Sequence, residues 1–420
     1  MSTSLNKAIK IFAKLQETGS LEEKLTQLRE EHNTREAKQP KNEYSSESFA
    51  NRKAFLEKET GASLEELTKT NETLDPNHLK GNIENFIGTT TIPTGVAGPL
   101  RINGSEAKGD FYVPLATTEG ALVASYHRGA KATLLSGGIA TVCLTEGVKR
   151  SPLFGFKTIE LGIRFLMWVT QVKDKFPDIV AQHTSHGKLN DVQLNIEGNH
   201  IILTFEYLTG DASGQNMVTI CTDAICHYLI EHTPIKPSYW YVEGNYSGDK
   251  KASVLSFSTV RGKKVTAECV VKAAVLKDVL KTTAKSVAKY WTASIVSVVQ
   301  TGSIGAQGHF ANGLTALFMA TGQDVACVSE AAVGVTRMEV VNDDDLYISV
   351  MLPNLIVGTI GGGTKFATQQ ECLALMDCVG LGKARKFAEI CAGLLLCGEL
   401  SIASALAEGH FTSAHQSLGR

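Results

Sequence analysis

Large apolar residues are unevenly spread along this chain, and that distribution constrains its fold more than any single motif. Residues 1–80 are polar, rich in Glu, Lys, Asn and Gln. Within them, SLEEKLTQLREEH sets Leu21, Leu25 and Leu28 at helical spacing. So few large apolar side chains cannot make a core, so this stretch is expected to form a small helical region packed on the rest of the chain. From ENFIGTTTIPTGVAGPL (84–100) the chain turns to Gly, Pro and β-branched residues, the composition of strands and turns. PLATTEGALVASYHRGAKATLLSGG then reads as a loop and a long helix, capped by Thr117 or Thr118 and ended by Gly137 and Gly138. Residues 152–241 read as a separate unit. Strand patterns (VQLNI, HIILTFEYL) alternate there with helical ones (IELGIRFLMWVTQVKDKF, MVTICTDAICHYLIEH). Beyond it the pattern is helical from Lys272 to about Val299 and again in two Ala/Leu/Cys-rich helices. Strands and helices in this arrangement define an α+β class.

The net charge of −2 offers no broad field for nucleic acid or an anionic membrane, so any anion site has to be local. Nine scattered cysteines contain no CxxC pair and no Cys/His grouping of zinc spacing, so no metal is expected. They read as reduced thiols of a cytoplasmic protein. MSTSLNKAIKIFAKLQ has no apolar core of signal-peptide length, and no later segment reaches spanning length without charge. A soluble protein without membrane partners is the expectation.

Four stretches carry chemistry. In TFEYLTGDASGQNMVTIC (204–221) a strand runs through Gly210 and Gly214 straight into a helix. Free N–H groups at a helix start, approached through glycine, make a cradle for an anion such as a pyrophosphate. A tight connection with no ligand is equally compatible. Asp211 there repels phosphate but accepts from a ribose or an amide. No GxGxxG follows a strand, which argues against an ordinary Rossmann domain. GTIGGGT (358–364) is a second Gly-rich turn with the same two readings. Glu119, in ATTEGALVAS, reads as a carboxylate at a helix start, where burial would make it a proton donor and exposure an ordinary first-turn residue. Ser125, His127 and Arg128 come after it with groups suited to a phosphate. Asp324 ends an apolar run, where a buried carboxylate needs a cation, and Lys250 is one candidate. Lys250 itself lies in VEGNYSGDKKAS (242–253), which reads either as a solvated turn or as a loop that presents two ammonium groups. His410 and His415 lie in the tail EGHFTSAHQSLGR.

Together these segments closely resemble the 3-hydroxy-3-methylglutaryl-CoA reductase family. The matching stretches are ENFIGTTTIPTGVAGPL, PLATTEGALVAS, TGDASGQNM, GNYSGDKK, TGSIGAQGHFANGLTALFMATGQD, LPNLIVGTIGGGT and GHFTSAH, in family order from about residue 80 onward. The resemblance implies an N-terminal helical region (1–80) and a large substrate domain around a long central helix, built from 81–151 and 242–420. A small ferredoxin-like nucleotide-binding domain (152–241) is inserted between them. It implies reduction of 3-hydroxy-3-methylglutaryl-CoA to mevalonate with two hydrides from NADPH, NADH remaining the alternative. Glu119, Lys250, Asp324 and His415 take the catalytic places. Ser125, His127, Arg128, Arg150, Asp249, Lys251, His309 and Asn312 take substrate-binding ones. Ser185, His186, Lys188, Asp211, Gly214, Asn216, Ile360, Gly361 and Arg420 fall on the cofactor side. A homodimer or larger homo-oligomer with active sites at the interface is implied as well.

This chain departs from the family pattern at three places. Glu243 stands where part of the family has serine. The arginines that many relatives place near the 2′-phosphate are replaced by TSHGK (184–188). No lysine occupies Thr292–Ser294, with Lys289 the nearest substitute. Two other functions are compatible with the motifs: the same chemistry run oxidatively with NAD, and a silent CoA-binding relative. The second fits poorly with keeping the full catalytic quartet.

Overall fold

Among the described residues, serine begins both of the longer helices in the first unit of the chain, Met1–Thr90. The structure, a computed structural model, describes residues 4–17, 20, 23, 26, 43–71 and 74–409. Helix α1 (Leu5–Gln16) starts at Ser4, whose hydroxyl accepts from the Lys7 N–H; α2 (Ser46–Thr60) starts at Ser45, accepting from Ser48 at 3.2 Å. Arg52 of α2 is 3% exposed and donates to the carbonyls of Phe86 (2.8 Å) and Glu43 (3.1 Å). Its guanidinium lies over Phe49, which meets Phe86 edge to face at 4.8 Å. A fixed cation thus takes the place of the apolar core that this composition cannot supply. The expected helix through Leu21, Leu25 and Leu28 lies outside the described residues.

The second unit, Thr91–Arg420, is organised by its longest strands. β1 (Thr94–Gly104) and β2 (Lys108–Ala116) pair antiparallel, and helix α3 (Leu122–Leu135) leads to β3 (Ile139–Arg150). Next along the chain are β4 (Leu153–Gly155), α4 (Ile159–Val172), α5 (Phe176–His183), β5 (Lys188–Glu197), β6 (His200–Leu208), α6 (Gln215–His232) and β7 (Tyr239–Tyr241). Then come β8 (Gly262–Val271), α7 (Ala284–Thr301), α8 (Phe310–Thr321), β9 (Val335–Val341), β10 (Asp345–Leu355) and α9 (Ala384–Ala407). Helix and sheet together make an α+β fold. The sheet runs β7-β4-β6-β3-β8-β10-β9, with β1 and β2 joined through β3 and β5 through β6.

β3 belongs to both halves of this sheet. Ala140–Gly147 pairs antiparallel with β8, and Val148–Arg150 pairs with β6, after a register shift between Cys143 and Thr145. Before the shift its residues alternate between buried and less buried; from Gly147 to Arg150 every residue is buried. On the β6 side, Phe165, Phe176, Val218, Ile225 and Leu229 from α4, α5 and α6 bury themselves with Phe154 and Phe205. The strand and helix patterns read from the sequence match here, β6 residue for residue.

The stretch read as helical from Lys272 to about Val299 is helical but interrupted. Lys281 sits in the left-handed region (φ 57°), and Thr283 restarts the chain as α7 by accepting from Ser286 N–H at 3.2 Å. Local β-branched hydroxyls here cap a helix where apolar spacing alone predicts continuity.

α9 is the central helix. It is long and apolar enough to cross a membrane, and 83% of its apolar window is buried inside the protein. It runs so close to α3 that a Cβ on Gly129 would stand 2.0 Å from the Cys397 carbonyl oxygen. Two carboxylates interrupt its apolar length, both without exposure. Glu389 accepts from Ser105 Oγ, from the N–H groups of Glu106 (3.0 Å), Ala107 (2.8 Å) and Cys143 (3.1 Å), and from Thr141 Oγ1 (3.0 Å). Glu399 accepts from the N–H groups of Gly308 (2.7 Å) and His309 (2.8 Å) and from Thr336 Oγ1 (2.8 Å). Each carboxylate ties the helix to a loop that would otherwise bury unpaired donors.

Glu389→Leu should therefore be costly. It strips the acceptor from five groups at once; at about 1–3 kcal/mol per buried unpaired donor, with partial relaxation, we expect a loss of about 3–5 kcal/mol. Urea unfolding of the purified variant measures it. A loss below about 1 kcal/mol would mean that water replaces the carboxylate at this site.

Candidate active site

The loop after β7 is held by one carboxylate. Glu243 Oε1 accepts from the N–H groups of Tyr246 (3.1 Å) and Ser247 (3.4 Å), and Oε2 from Ser151 N–H (3.2 Å) and Arg150 Nη1 (3.3 Å). Arg150, 7% exposed at the end of β3, also reaches Asp249 Oδ2 at 3.1 Å. The next residue, Lys250, is left-handed (φ 54°), and its ammonium lies 2.8 Å from Asp324 Oδ2. Lys251 folds back onto the Asp249 carbonyl at 3.0 Å and is exposed.

Asp324 is not the buried carboxylate expected from the sequence. Its side chain is 39% exposed, because the apolar helix α8 ends at Gly322 and Asp324 caps a short turn, accepting from Ala326 N–H at 3.0 Å. The Asp324 hydrogen bond raises the Lys250 pKa above the ordinary lysine value, and burial opposes it only partly.

Behind this pair lies a buried network that sequence reasoning misses. Arg261 is 1% exposed. Its Nη1 donates to Glu330 Oε1, and its Nη2 donates to Gln215 Oε1 (2.6 Å) and pairs with Asp249 Oδ1 (2.8 Å). Glu330, with no exposure, also accepts from the Lys250 backbone N–H at 3.1 Å. Burial raises the Glu330 pKa, and Arg261 works against that rise. Gln215 donates to the Cys327 thiol at 2.8 Å; burial pushes that thiol up, so it stays neutral. The only sequence signals are a lone Glu in the apolar run CVSEAAVG and an Arg just before a strand.

Glu119 forms a second group. Both its oxygens accept from Asn312 Nδ2, at 3.1 and 2.9 Å. It is exposed and precedes the helix rather than opening it: α3 begins at Leu122, after a left-handed Ala121 (φ 65°). Thr117 does not cap α3; its hydroxyl accepts from Glu119 N–H at 2.9 Å, forming a turn ahead of the helix. No hydrogen bond or ion pair joins Glu119 to Lys250 or Asp324 among the described residues. Ser125 (2.9 Å) and Arg128 (2.8 Å) both bond to Ser401 Oγ on α9, and His127 is exposed. His309 stacks on Tyr126 and faces Glu399 Oε1 at 3.3 Å. Lys289 is exposed on α7.

The two Gly-rich turns meet. Ile360 bridges Ala212, Thr359 N–H donates to the Asp211 carbonyl (2.8 Å), and a Cβ on Gly358 would stand 2.6 Å from Ser213 N. Such an approach admits only glycine. The Asp211 carboxylate takes the N–H groups of Gly382 (2.7 Å), Lys383 (3.0 Å) and Ala384 (3.0 Å), so it caps α9. Gly214 (φ 76°) precedes α6 with no side-chain cap, and Asn216 is exposed in the first turn. Beneath both turns Lys263, 3% exposed, lies 3.4 Å from the carbonyls of Gly210 and Val357; burial lowers its pKa. Ser185, His186 and Lys188 lie between α5 and the start of β5, and Gly187 packs on Met217 of α6. His410, His415 and Arg420 lie outside the described residues.

A family model described as hydroxymethylglutaryl-coenzyme A reductase matches residues 48–420. The 3-hydroxy-3-methylglutaryl-coenzyme A reductase of Aeropyrum pernix is 46% identical over 376 residues, covering 88% of this chain and 89% of that protein. That of Pyrococcus abyssi is 44% identical over 377 residues, with 88% and 92% covered. Among solved structures, the fold is similar to that of a class II 3-hydroxy-3-methylglutaryl-CoA reductase from Streptococcus pneumoniae bound to NADPH. The TM-score is 0.63 at 18% identity, covering 93% of this chain and 98% of that one.

The Lys250–Asp324 pair makes a pH prediction. Because the folded pKa of Lys250 is raised, the pair's contribution to stability is complete below the ordinary 10.5 and is lost as pH climbs through the raised value. Asp324→Asn should move the Lys250 titration to lower pH, followed by carbon NMR of labelled lysine. An unmoved titration would show that the 2.8 Å contact does not persist in solution.

Proposed function

This chain belongs to the hydroxymethylglutaryl-coenzyme A reductase family, and on that premise we propose how its residues act. It is an oxidoreductase that converts 3-hydroxy-3-methylglutaryl-CoA to mevalonate and CoA, the step that commits carbon to isoprenoids through mevalonate. The observation that carries the assignment of roles is the Lys250–Asp324 pair, 2.8 Å apart, on a loop fixed by Arg150 and Arg261.

Reduction of a thioester to an alcohol takes two hydride additions, and each leaves negative charge on a carbonyl oxygen. Lys250 places an ammonium where that charge develops, in a position set before the reaction begins. Asp324 keeps that ammonium protonated through its hydrogen bond. Glu119, held by Asn312 at both oxygens, supplies protons to the substrate oxygen. His415 protonates the CoA thiolate when the hemithioacetal collapses. Arg150 and Lys251 hold the substrate carboxylate, with Asp249 fixing Arg150 and Glu243 fixing the loop. Ser125, His127, Arg128, His309 and Asn312 complete the substrate side.

Two NADPH molecules, bound in turn at one site, would each supply one hydride. The residues fit this cofactor: no side chain caps α6, so its first N–H groups are open to a pyrophosphate beside Gly214, Asn216, Ile360 and Gly361. Asp211 holds this loop to α9, and Ser185, His186, Lys188 and Arg420 offer donors to the 2′-phosphate. We assign residues 152–241 to the nucleotide-binding domain and 81–151 with 242–420 to the substrate domain. The active unit is a homodimer or larger homo-oligomer with the lysine loop at the interface. Nine free thiols fit residence in the reducing cytoplasm.

Initial rates with the CoA thioester and NADPH or NADH, read from loss of reduced nicotinamide, test the reaction. Lys250→Ala should lower the rate by about 10²–10³ or more with the thioester and with free mevaldehyde alike, since both additions build an oxyanion. Near wild-type turnover by the variant would make the loop an ordinary surface turn.

His415→Gln separates the steps. Mevaldehyde reduction expels no thiolate, so the variant should keep much of that activity while the thioester reaction collapses. Equal losses with both substrates, in a folded variant, would remove His415 from leaving-group protonation.

A further inference from the structure

A lysine in the left-handed region persists only where its surroundings hold it there. Lys250 (φ 54°) comes two residues after Gly248 (φ 78°) in a loop that also turns through a left-handed Asn245 (φ 63°). Its two ends are gripped by carboxylates six residues apart on one short segment. Asp324 takes the ammonium at 2.8 Å, and Glu330 takes the backbone N–H at 3.1 Å. The first contact is exposed; the second is part-buried, with Glu330 itself having no exposure. Glu330 in turn is fixed by Arg261 Nη1, and Arg261 Nη2 is held by Asp249 Oδ1 (2.8 Å) and by Gln215 Oε1 (2.6 Å). Gln215 is the first residue of α6, directly after Gly214. A chain of direct side-chain contacts therefore runs from the start of α6 to the Lys250 backbone, buried at its centre and part-buried at both ends.

We infer that Glu330 and Arg261 are positioning residues for Lys250: the buried pair fixes the lysine backbone so that its ammonium meets the oxyanion, and Gln215 ties that position to the helix carrying the nucleotide loop. The inference rests on the role assigned to Lys250 above. Neither residue touches substrate. What Glu330 contributes is one acceptor oxygen at a fixed place, shared by the Lys250 N–H and Arg261 Nη1.

Two substitutions separate position from charge. Glu330→Gln keeps the acceptor at the same reach and gives up the charge. Glu330→Asp keeps the charge and withdraws the acceptor by one carbon. A displacement of about 1 Å at a reacting group can cost about 10²-fold in rate. Glu330→Asp should therefore lose about 10²-fold in kcat, with the KM values for the CoA thioester and NADPH nearly unchanged. Glu330→Gln should stay within about tenfold of wild type. The rate at which an amine-reactive acetylating reagent modifies Lys250, read by peptide mass spectrometry, gives a measure independent of turnover. It should rise several-fold in the Asp variant and little in the Gln variant. Thermal melts complete the set. If kcat and labelling follow the melting temperature instead, with Asp the better replacement, or if neither variant changes either readout, the positioning role is overturned. A wild-type protein that fails to reduce the CoA thioester overturns the reaction assigned above. The labelling contrast still decides the clamp in that case.

Discussion

A guanidinium with 1% exposure is the constraint on which the rest of the site depends. Taking such a charge out of water is unfavourable by several kcal/mol unless its donors are met, so Arg261 has to collect partners wherever the chain can bring them. It collects them from Asp249 on the lysine loop, Glu330 beyond α8 and Gln215 at the head of α6, while Asn354 of β10 accepts from its backbone N–H. Pairing the two terminal nitrogens of one side chain, whose Nε stays buried without a hydrogen-bond partner among the described residues, thus draws together segments that share no secondary structure. Two residues on, Lys263 does the same for the Gly-rich turns by donating to Gly210 and Val357. The start of β8 carries two buried cations, one behind the Lys250–Asp324 pair and one beneath the Gly-rich turns.

The same logic runs through the core. α9 has the composition of a membrane span, and its two buried carboxylates hold it to particular loops of the fold. Glu389 gathers Ser105–Ala107 and Cys143; Glu399 gathers Gly308, His309 and Thr336. Apolar burial brings the helix in, but it is non-directional. The carboxylates fix its rotation and depth, and through them the start of α8, where Asn312 meets Glu119.

Much of this is legible from the sequence because it is local. β6 and α6 follow from apolar periodicity, and the Gly-rich turns follow from composition. The four residues proposed to be catalytic come from the family resemblance, which is carried by short motifs, each a few positions long. Non-local features are not legible. Glu330 reaches Lys250 across 80 residues and Arg261 across 69, and no spacing rule encodes such pairings. The capping preference of threonine puts Glu119 inside α3, yet Ala121 adopts a left-handed turn that delays the helix. Apolar neighbours predict a buried Asp324, but the chain turns outward at Gly322. The role of Glu243, unreadable from its type, is plain once its four donors are known.

Because β3 is shared by two parts of the sheet, counting along it has a parity. Side chains on a strand change face at each step, so a shift of one residue exchanges the two faces and a shift of two restores them. Arg150 is the last residue of that strand, paired with Phe205 and aimed at Asp249 and Glu243. The irregularity between Cys143 and Thr145 sets the count. A lineage that gained or lost one residue between that point and Arg150 would turn the guanidinium away from the lysine loop while leaving every motif intact. Strand length is therefore a hidden letter in the active-site code: related chains should differ over this stretch by even numbers or not at all.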